Sequence, residues 1–124
     1  AESLVSEMRL GDLASVCQVP DDVGAPHDLV VNATTLGLRP GDPLPLSLAR
    51  GRVRYAFDLV YGPGGTAWTR HARAMGVAAI DGTVMLIDQA VLSLERWLGR
   101  LPDRDGVARA MRAEVTPGTG GDNR

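Results

Sequence analysis

The chain has no lysine: every one of its 13 basic residues is arginine. Chemistry that needs a lysine amine, whether a Schiff base or a proton-donating ammonium, therefore lies outside these 124 residues. Cysteine is almost as scarce. Cys17 stands alone, which excludes an internal disulfide and a multi-cysteine metal site, and within the apolar run Ala14 to Val19 it reads as a small hydrophobe. Aromatics make up only 4% of the residues, so aliphatic side chains and alanine are expected to fill the core. No apolar run reaches the roughly 18 residues of a bilayer-spanning helix. Ala1-Glu2-Ser3-Leu4 lacks the basic start and apolar stretch of a secretory signal. The expectation is a cytoplasmic protein with no membrane partner. A formal charge of -2 offers no positive footprint for nucleic acid.

What is present alternates between strand-like and helix-like segments. Leu4, Val5 and Met8 fall at helical spacing within Ala1 to Arg9, and Ala14 to Val19 could form a short strand. Leu29-Val30-Val31 is the continuous apolar run expected of a strand buried on both faces, and it exits into Asn32-Ala33-Thr34-Thr35-Leu36-Gly37. Leu38 to Gly51, with its prolines, reads as a surface connection holding at most one helical turn near Leu46 to Ala49. Val53 to Val60 is the next strand, Thr66 to Met75 a short helix closed by Gly76, and Val77 to Ile80 a brief strand. Asp81 is placed to cap a helix over Gly82 to Leu98, whose stripe Leu86, Ala90, Leu94, Trp97 is expected to face a core. A last amphipathic helix covers Asp105 to Val115, and the Gly/Thr-rich end, 116–124, is expected to be disordered. Strands alternating with helices point to an α/β fold with a parallel sheet.

Two glycine-punctuated turns follow apolar runs and open helices: Asp58-Leu59-Val60-Tyr61-Gly62-Pro63-Gly64-Gly65-Thr66 and Asp81-Gly82-Thr83. An open α/β sheet presents its ligands beyond the carboxyl ends of its strands in this way. Neither turn supplies an obvious general acid or base. On the residues alone, Tyr61 is a surface aromatic, Gln89 a solvated helix position, Met85 core and Asn32 a strand-end residue that satisfies its own loop. Asp58 could orient the Tyr61 turn. His27 and His71 have no partner at metal-ligand spacing and read as surface or helix-end residues.

Three ordered blocks, Asn32-Ala33-Thr34-Thr35-x-Gly37, Asp58-x-x-Tyr61-x-Pro63-x-x-Thr66 and Gly82-x-x-Met85-Leu86-x-x-Gln89-Ala90, together resemble the carboxyl-terminal half of shikimate dehydrogenase over residues 28–98. That resemblance implies a Rossmann-like, NADP-binding parallel sheet with flanking helices, here an incomplete portion of the domain over 1–115. It implies the reversible NADPH-dependent reduction of 3-dehydroshikimate to shikimate, a step of aromatic amino-acid biosynthesis by way of chorismate. Thr34 and Thr35 would lie along the cofactor. Leu59 would touch the nicotinamide side where the family often has methionine, Gly82 would let backbone approach the nicotinamide amide, and Met85 would pack beside the ring. Tyr61 and Gln89 would hydrogen-bond substrate hydroxyls.

No catalytic residue of the family falls in this chain, because its Lys–Asp pair belongs to an upstream substrate domain, in the same or another polypeptide. The family's glycine-rich phosphate loop and Asn-Arg-Thr motif have no counterpart either; Gly62-Pro63-Gly64-Gly65 belongs to the tyrosine block. Two alternatives stay open: a non-catalytic, degenerate polyol-binding module without the cofactor loop, and a quinate/shikimate dehydrogenase of different cofactor choice. In a Rossmann-like sheet ordered 3-2-1-4-5-6, the runs at Leu29, Val53 and Val77 would be strands 4, 5 and 6, and Ala14 to Val19 strand 3. Strand 4 would then stand as a bare edge.

Overall fold

Short runs of β-branched and aromatic residues between turn residues favour strands, and three such runs pair here. β1 is His27–Asn32, β2 Val53–Asp58 and β3 Ala78–Ile80. They form a parallel sheet in the order β1-β2-β3. Leu29 lies opposite Tyr55, Asn32 opposite Asp58, and Tyr55 opposite Ala78. Three helices accompany the sheet: α1 Ala67–Ala74, α2 Thr83–Leu98 and α3 Arg104–Val115. The computed structural model describes residues 6–8, 13–14, 16, 26–49 and 51–115. The expected α/β, Rossmann-like architecture is present as a three-stranded portion of a parallel sheet with β1 at its edge among the described residues. Of the helix expected over Ala1 to Arg9, Ser6 and Glu7 are helical and most of the rest lies outside the described residues. Ala14 and Val16 are in no strand; the remainder of the run to Val19, and the tail 116–124, also lie outside them.

Local chemistry sets the boundaries. Thr66 caps α1 by accepting from the Thr69 amide (3.1 Å), and Gly76, at φ +77°, takes the left-handed turn that follows. The N-cap of α2 is Gly82 rather than the expected Asp81, and the helix starts at Thr83; Asp81 stands one residue further out, its Oδ1 accepting from the Thr83 amide (3.1 Å). β2 stops at Asp58, two residues before the expected Val60, because the Asp58 side chain takes up the Val60 amide itself (3.1 Å).

One face of the sheet carries the core. Ala56 of β2 packs with Trp68 and Ala72 of α1, with Val77 and with Leu48, and Val53 joins that cluster from the first position of the strand. The Trp68 Nε1–H donates to the Leu46 carbonyl (2.8 Å), and Arg73 ties α1 to β3 through the Ala79 carbonyl (2.9 Å). Aliphatics and alanine do fill most of this core, with Trp68 the one large aromatic in it. The Leu38 to Gly51 connection is therefore not simply a surface segment. Leu48 is buried, and Ser47 makes an isolated bridge where a helical turn was expected. Leu46 and Leu48 stand two residues apart, the period at which an extended segment turns alternate side chains inward.

The opposite face is open. Leu29 is 53% exposed, Tyr55 50% and Ile80 52%. The run Leu29-Val30-Val31 thus belongs to a strand buried on one face, not two, because no described element covers the other. The stripe of α2 also differs from expectation. Ile87 and Val91 are the buried pair, whereas Trp97 is 77% exposed. Leu86, Ala90 and Leu94 of the expected stripe are half-buried beside that pair, so both stripes belong to one wide apolar arc centred nearer Ile87. α3 packs against α2 and begins with the Asp103 side chain accepting from the Gly106 amide (2.8 Å).

These positions predict an asymmetry between the two tryptophans. Trp68→Ala should cost about 3–5 kcal/mol of stability by opening a cavity in the core. Trp97→Ala should stay within about 0.5 kcal/mol. Urea unfolding of the two variants measures both; equal losses would contradict the burial of Trp68.

Candidate functional site

Parallel pairing brings the carboxyl ends of β1, β2 and β3 to one edge, where the three sequence blocks begin. Asn32 ends β1 and is buried. Its Oδ1 accepts from the Thr34 amide (3.0 Å) and the Thr34 hydroxyl (2.7 Å), while its Nδ2 donates to the Leu36 carbonyl (3.1 Å). The amide thus folds the turn that follows β1, as Asn does when it satisfies a loop. Thr34 and Thr35 project from that turn and are exposed.

Asp58 ends β2 and is fully buried. Its Oδ1 accepts from Asn32 Nδ2 (2.8 Å) and the Val60 amide, and its Oδ2 accepts from the Thr66 hydroxyl (2.6 Å). One side chain therefore joins the end of β1, the end of β2 and the first turn of α1. Three donors surround the two oxygens, which satisfies a buried carboxyl.

The third strand end is held by close backbone approach. The Leu59 amide donates to the Asn32 carbonyl (3.0 Å), and the Gly82 amide donates to the Val60 carbonyl (3.1 Å). A Cβ on Gly82 would overlap the Leu59 carbonyl oxygen. Glycine is required there by packing, since its φ of -67° is open to any residue. Leu59 and Gly82, both assigned to the cofactor side by resemblance, are thus adjacent, and Thr34 is linked to them through Asn32 and Asp58.

Tyr61 stands half exposed beside the Gly62–Gly65 turn. It shares a cleft of about 440 Å³ with Gly37, Asp42, Thr66 and Arg70. On the other side of the turn, Gly62, Gly65, Asp81 and Thr83 line a second cleft of about 410 Å³. Met85 is half-buried on the first turn of α2, and Gln89, one turn further, is exposed. Neither lines those two clefts. His27 opens β1 at the far end of the sheet, its amide bonded to the Arg52 carbonyl (2.8 Å). His71 lies in the last turn of α1, a helix-end position as expected, and is half-buried with a buried Nε2 that has no hydrogen-bond partner. No cluster that could hold a metal ion occurs among the described residues. No helix among them is long and apolar enough to cross a membrane. The Asn32–Asp58–Thr66 joint was not apparent from the sequence. Its signal was the presence of all three residues at fixed places in the first two blocks.

The sequence matches the shikimate 5'-dehydrogenase C-terminal domain over residues 82–112. It is similar to a shikimate dehydrogenase (NADP(+)) from Rubrobacter xylanophilus, 46% identical over 90 residues, which is 70% of this chain and 31% of that protein. Its fold resembles the crystal structure of shikimate dehydrogenase 1 from Peptoclostridium difficile, with a TM-score of 0.60 at 27% identity, over 76% of this chain and 37% of that one. A shikimate dehydrogenase in complex with NADP+ gives a TM-score of 0.55 at 26% identity, over 72% of this chain and 32% of the other. The chain spans about a third of the length of the curated relatives it matches.

Two glycines separate packing from flexibility at this edge. Gly82→Ala should cost about 1–3 kcal/mol, because the new methyl forces the Leu59 turn and the start of α2 apart. Gly62→Ala, with open space around its Cβ and no positive φ, should change stability by less than about 0.5 kcal/mol. Thermal melts of the two variants test the difference, and a silent Gly82→Ala would disprove the close approach.

Proposed function

Since the chain belongs to the shikimate dehydrogenase family and corresponds to the carboxyl-terminal part of its members, we propose that it works within an NADP-dependent shikimate dehydrogenase. The reaction is the reversible reduction of 3-dehydroshikimate to shikimate. The observation that carries this reading is the convergence of all three family blocks on one edge of a parallel sheet, at Asn32–Thr35, Asp58–Tyr61 and Asp81–Thr83.

The residues at this edge suit the nicotinamide end of NADP. Leu59 and Met85 are half-buried apolar side chains, and Thr34 and Thr35 are exposed at a strand-end turn. These four, with Gly82, would hold the cofactor side. Bound NADP supplies the hydride chemistry. Tyr61 and Gln89 would hold substrate hydroxyls; both are exposed, so their polar ends are available. The contribution of this chain is orientation, which limits the encounter of ring and substrate to a productive geometry. Movement of the hydroxyl proton falls to a residue outside these 124, since the chain has no lysine. The same reading puts the pyrophosphate grip on the rest of the cofactor domain and the rest of the substrate pocket on an upstream substrate domain. A cytoplasmic setting belongs to it as well.

In the full-length protein, Gln89→Ala and Tyr61→Phe should each lower kcat/KM for shikimate by an amount equivalent to about 1–3 kcal/mol. The KM for NADP should hardly move. Unchanged shikimate kinetics in either variant would remove that residue from the site, and no turnover of shikimate by the wild type would refute the function. A second expectation concerns the 124 residues alone. Without a glycine-rich loop at a helix amino terminus they should not bind NADP with useful affinity. Isothermal titration giving a micromolar Kd would contradict that.

A further inference from the structure

We propose that Asp58 is a positioning residue that locks the cofactor-side turn to the substrate-side turn, so that both ligands are held by one rigid joint. This rests on the function proposed above and adds to it a residue that touches neither ligand. The geometry is specific. Asn32 organises the turn bearing Thr34 and Thr35, but an amide can face either way. With Asn32 reversed, its NH2 would meet the Thr34 amide, donor against donor, and its carbonyl would meet that of Leu36. The contact from Asn32 Nδ2 to Asp58 Oδ1 (2.8 Å) reinforces the orientation that the Thr34 amide and the Leu36 carbonyl require, and ties it to the end of β2.

The same carboxyl fixes the other turn at both of its ends. Val60, immediately before Tyr61, donates its amide to Oδ1 (3.1 Å), and Thr66, where the turn enters α1, donates its hydroxyl to Oδ2 (2.6 Å). The Val60 carbonyl in turn receives the Gly82 amide (3.1 Å), so the start of α2 is hung from the same residue. Asp58 is fully buried, and among the described residues its hydrogen bonds come from Asn32, Val60 and Thr66, none of them a basic side chain. All three groups it holds belong to the strand-end turns themselves. Its removal should therefore disturb both turns together, where the loss of a ligand contact disturbs one.

Asp58→Asn is the informative change. Its remaining oxygen can keep Asn32 and Val60 only by turning the new NH2 on the Thr66 hydroxyl, which must then accept and turn its own proton to the Thr69 hydroxyl (3.2 Å), while the second N–H of the new amide gains no acceptor among the groups Asp58 now holds. In the full-length protein this variant should raise the KM values for shikimate and for NADP together, each by roughly fivefold or more. Tyr61→Phe should raise the shikimate value alone. Trp68→Phe serves as a control for general loss of stability; it should lower Tm and leave both KM values in place. Amide hydrogen exchange supplies a readout independent of activity. In Asp58→Asn, exchange should speed up by roughly fivefold or more at Thr34, bonded to Asn32, and at Gly65, bonded to Gly62, while the protein still melts cooperatively. A shift in only one KM, or faster exchange in only one turn, would overturn the proposal. If the wild type turns over no shikimate, the functional reading fails on its own, and exchange decides the joint: a rise at both amides keeps it, and a rise at one or neither ends it. If Asp58→Asn does not fold, Asn32→Asp removes the Nδ2 donor while leaving Asp58 in place. Asn32→Asp must then show the same paired exchange, and a rise confined to Thr34 would overturn the proposal.

Discussion

Because β1, β2 and β3 pair in parallel, each strand ends on the same edge and each connection must return across the sheet before the next can begin. That constraint gathers residues from three distant stretches of sequence onto one rim. It also separates labour along the chain. The connection from β1 to β2 supplies Leu48 to the core, and α1 supplies Trp68 and Ala72. The turns that lead out of the strands are left to present polar groups. A side chain projecting from such a turn stands on a scaffold fixed by apolar packing on one side and by the sheet's own hydrogen bonds on the other.

Polar burial at this rim is economical. Asn32, Asp58, Thr66 and Thr69 are the buried polar residues among those described, and all four are linked by hydrogen bonds. Each bond has a modest net effect, but a buried donor left without a partner costs about 1–3 kcal/mol. The network is therefore stable as a whole and expensive to break in part. The exposed Arg54–Asp28 pair across β1 and β2 is different in kind (3.2 Å). The hydrogen bond that Arg54 donates to Asp28 and the neighbouring Tyr55 raise the Arg54 pKa above its ordinary value, which leaves an already cationic group cationic. In full solvent it adds little to stability.

Much of this could be seen in the residues before any coordinates. The order of strands and helices followed from apolar runs and turn chemistry, and the caps at Thr66, Gly76 and Asp81 fall within a residue of where glycine, threonine and aspartate stood in the sequence. What escaped has a common cause. Periodicity reports how a segment divides its own faces, while burial depends on what arrives from elsewhere. Leu29-Val30-Val31 carried the pattern of a two-sided strand, and no described element covers its second face. Leu86 and Ile87 lie on one apolar arc of α2, and only the helix's neighbours decide which is turned inward. Asn32 and Asp58 are 26 residues apart; Asn32 looked like a strand-end residue satisfying its own loop and Asp58 like one that could orient the Tyr61 turn, and only pairing placed the two face to face. The roles of Thr34, Thr35, Leu59, Met85, Tyr61 and Gln89 rest on family resemblance, because no ligand contact can be read from spacing.

Asn32 and Asp58 are also partners in the sheet ladder, one opposite the other at the last rung of β1 and β2. Strands slip by single residues with little change in backbone bonding, but each slip sends every side chain to the other face. A one-residue shift of β2 would turn Asp58 away from α1. Asn32 would lose its acceptor, and Thr66 the group that receives its hydroxyl. Apolar packing resists such a shift as well, because it would turn Ala56 out of the core. Three directed hydrogen bonds add a second penalty. The joint at the rim thus acts as a proofreading step in assembly, admitting only the alignment that also puts the three turns together.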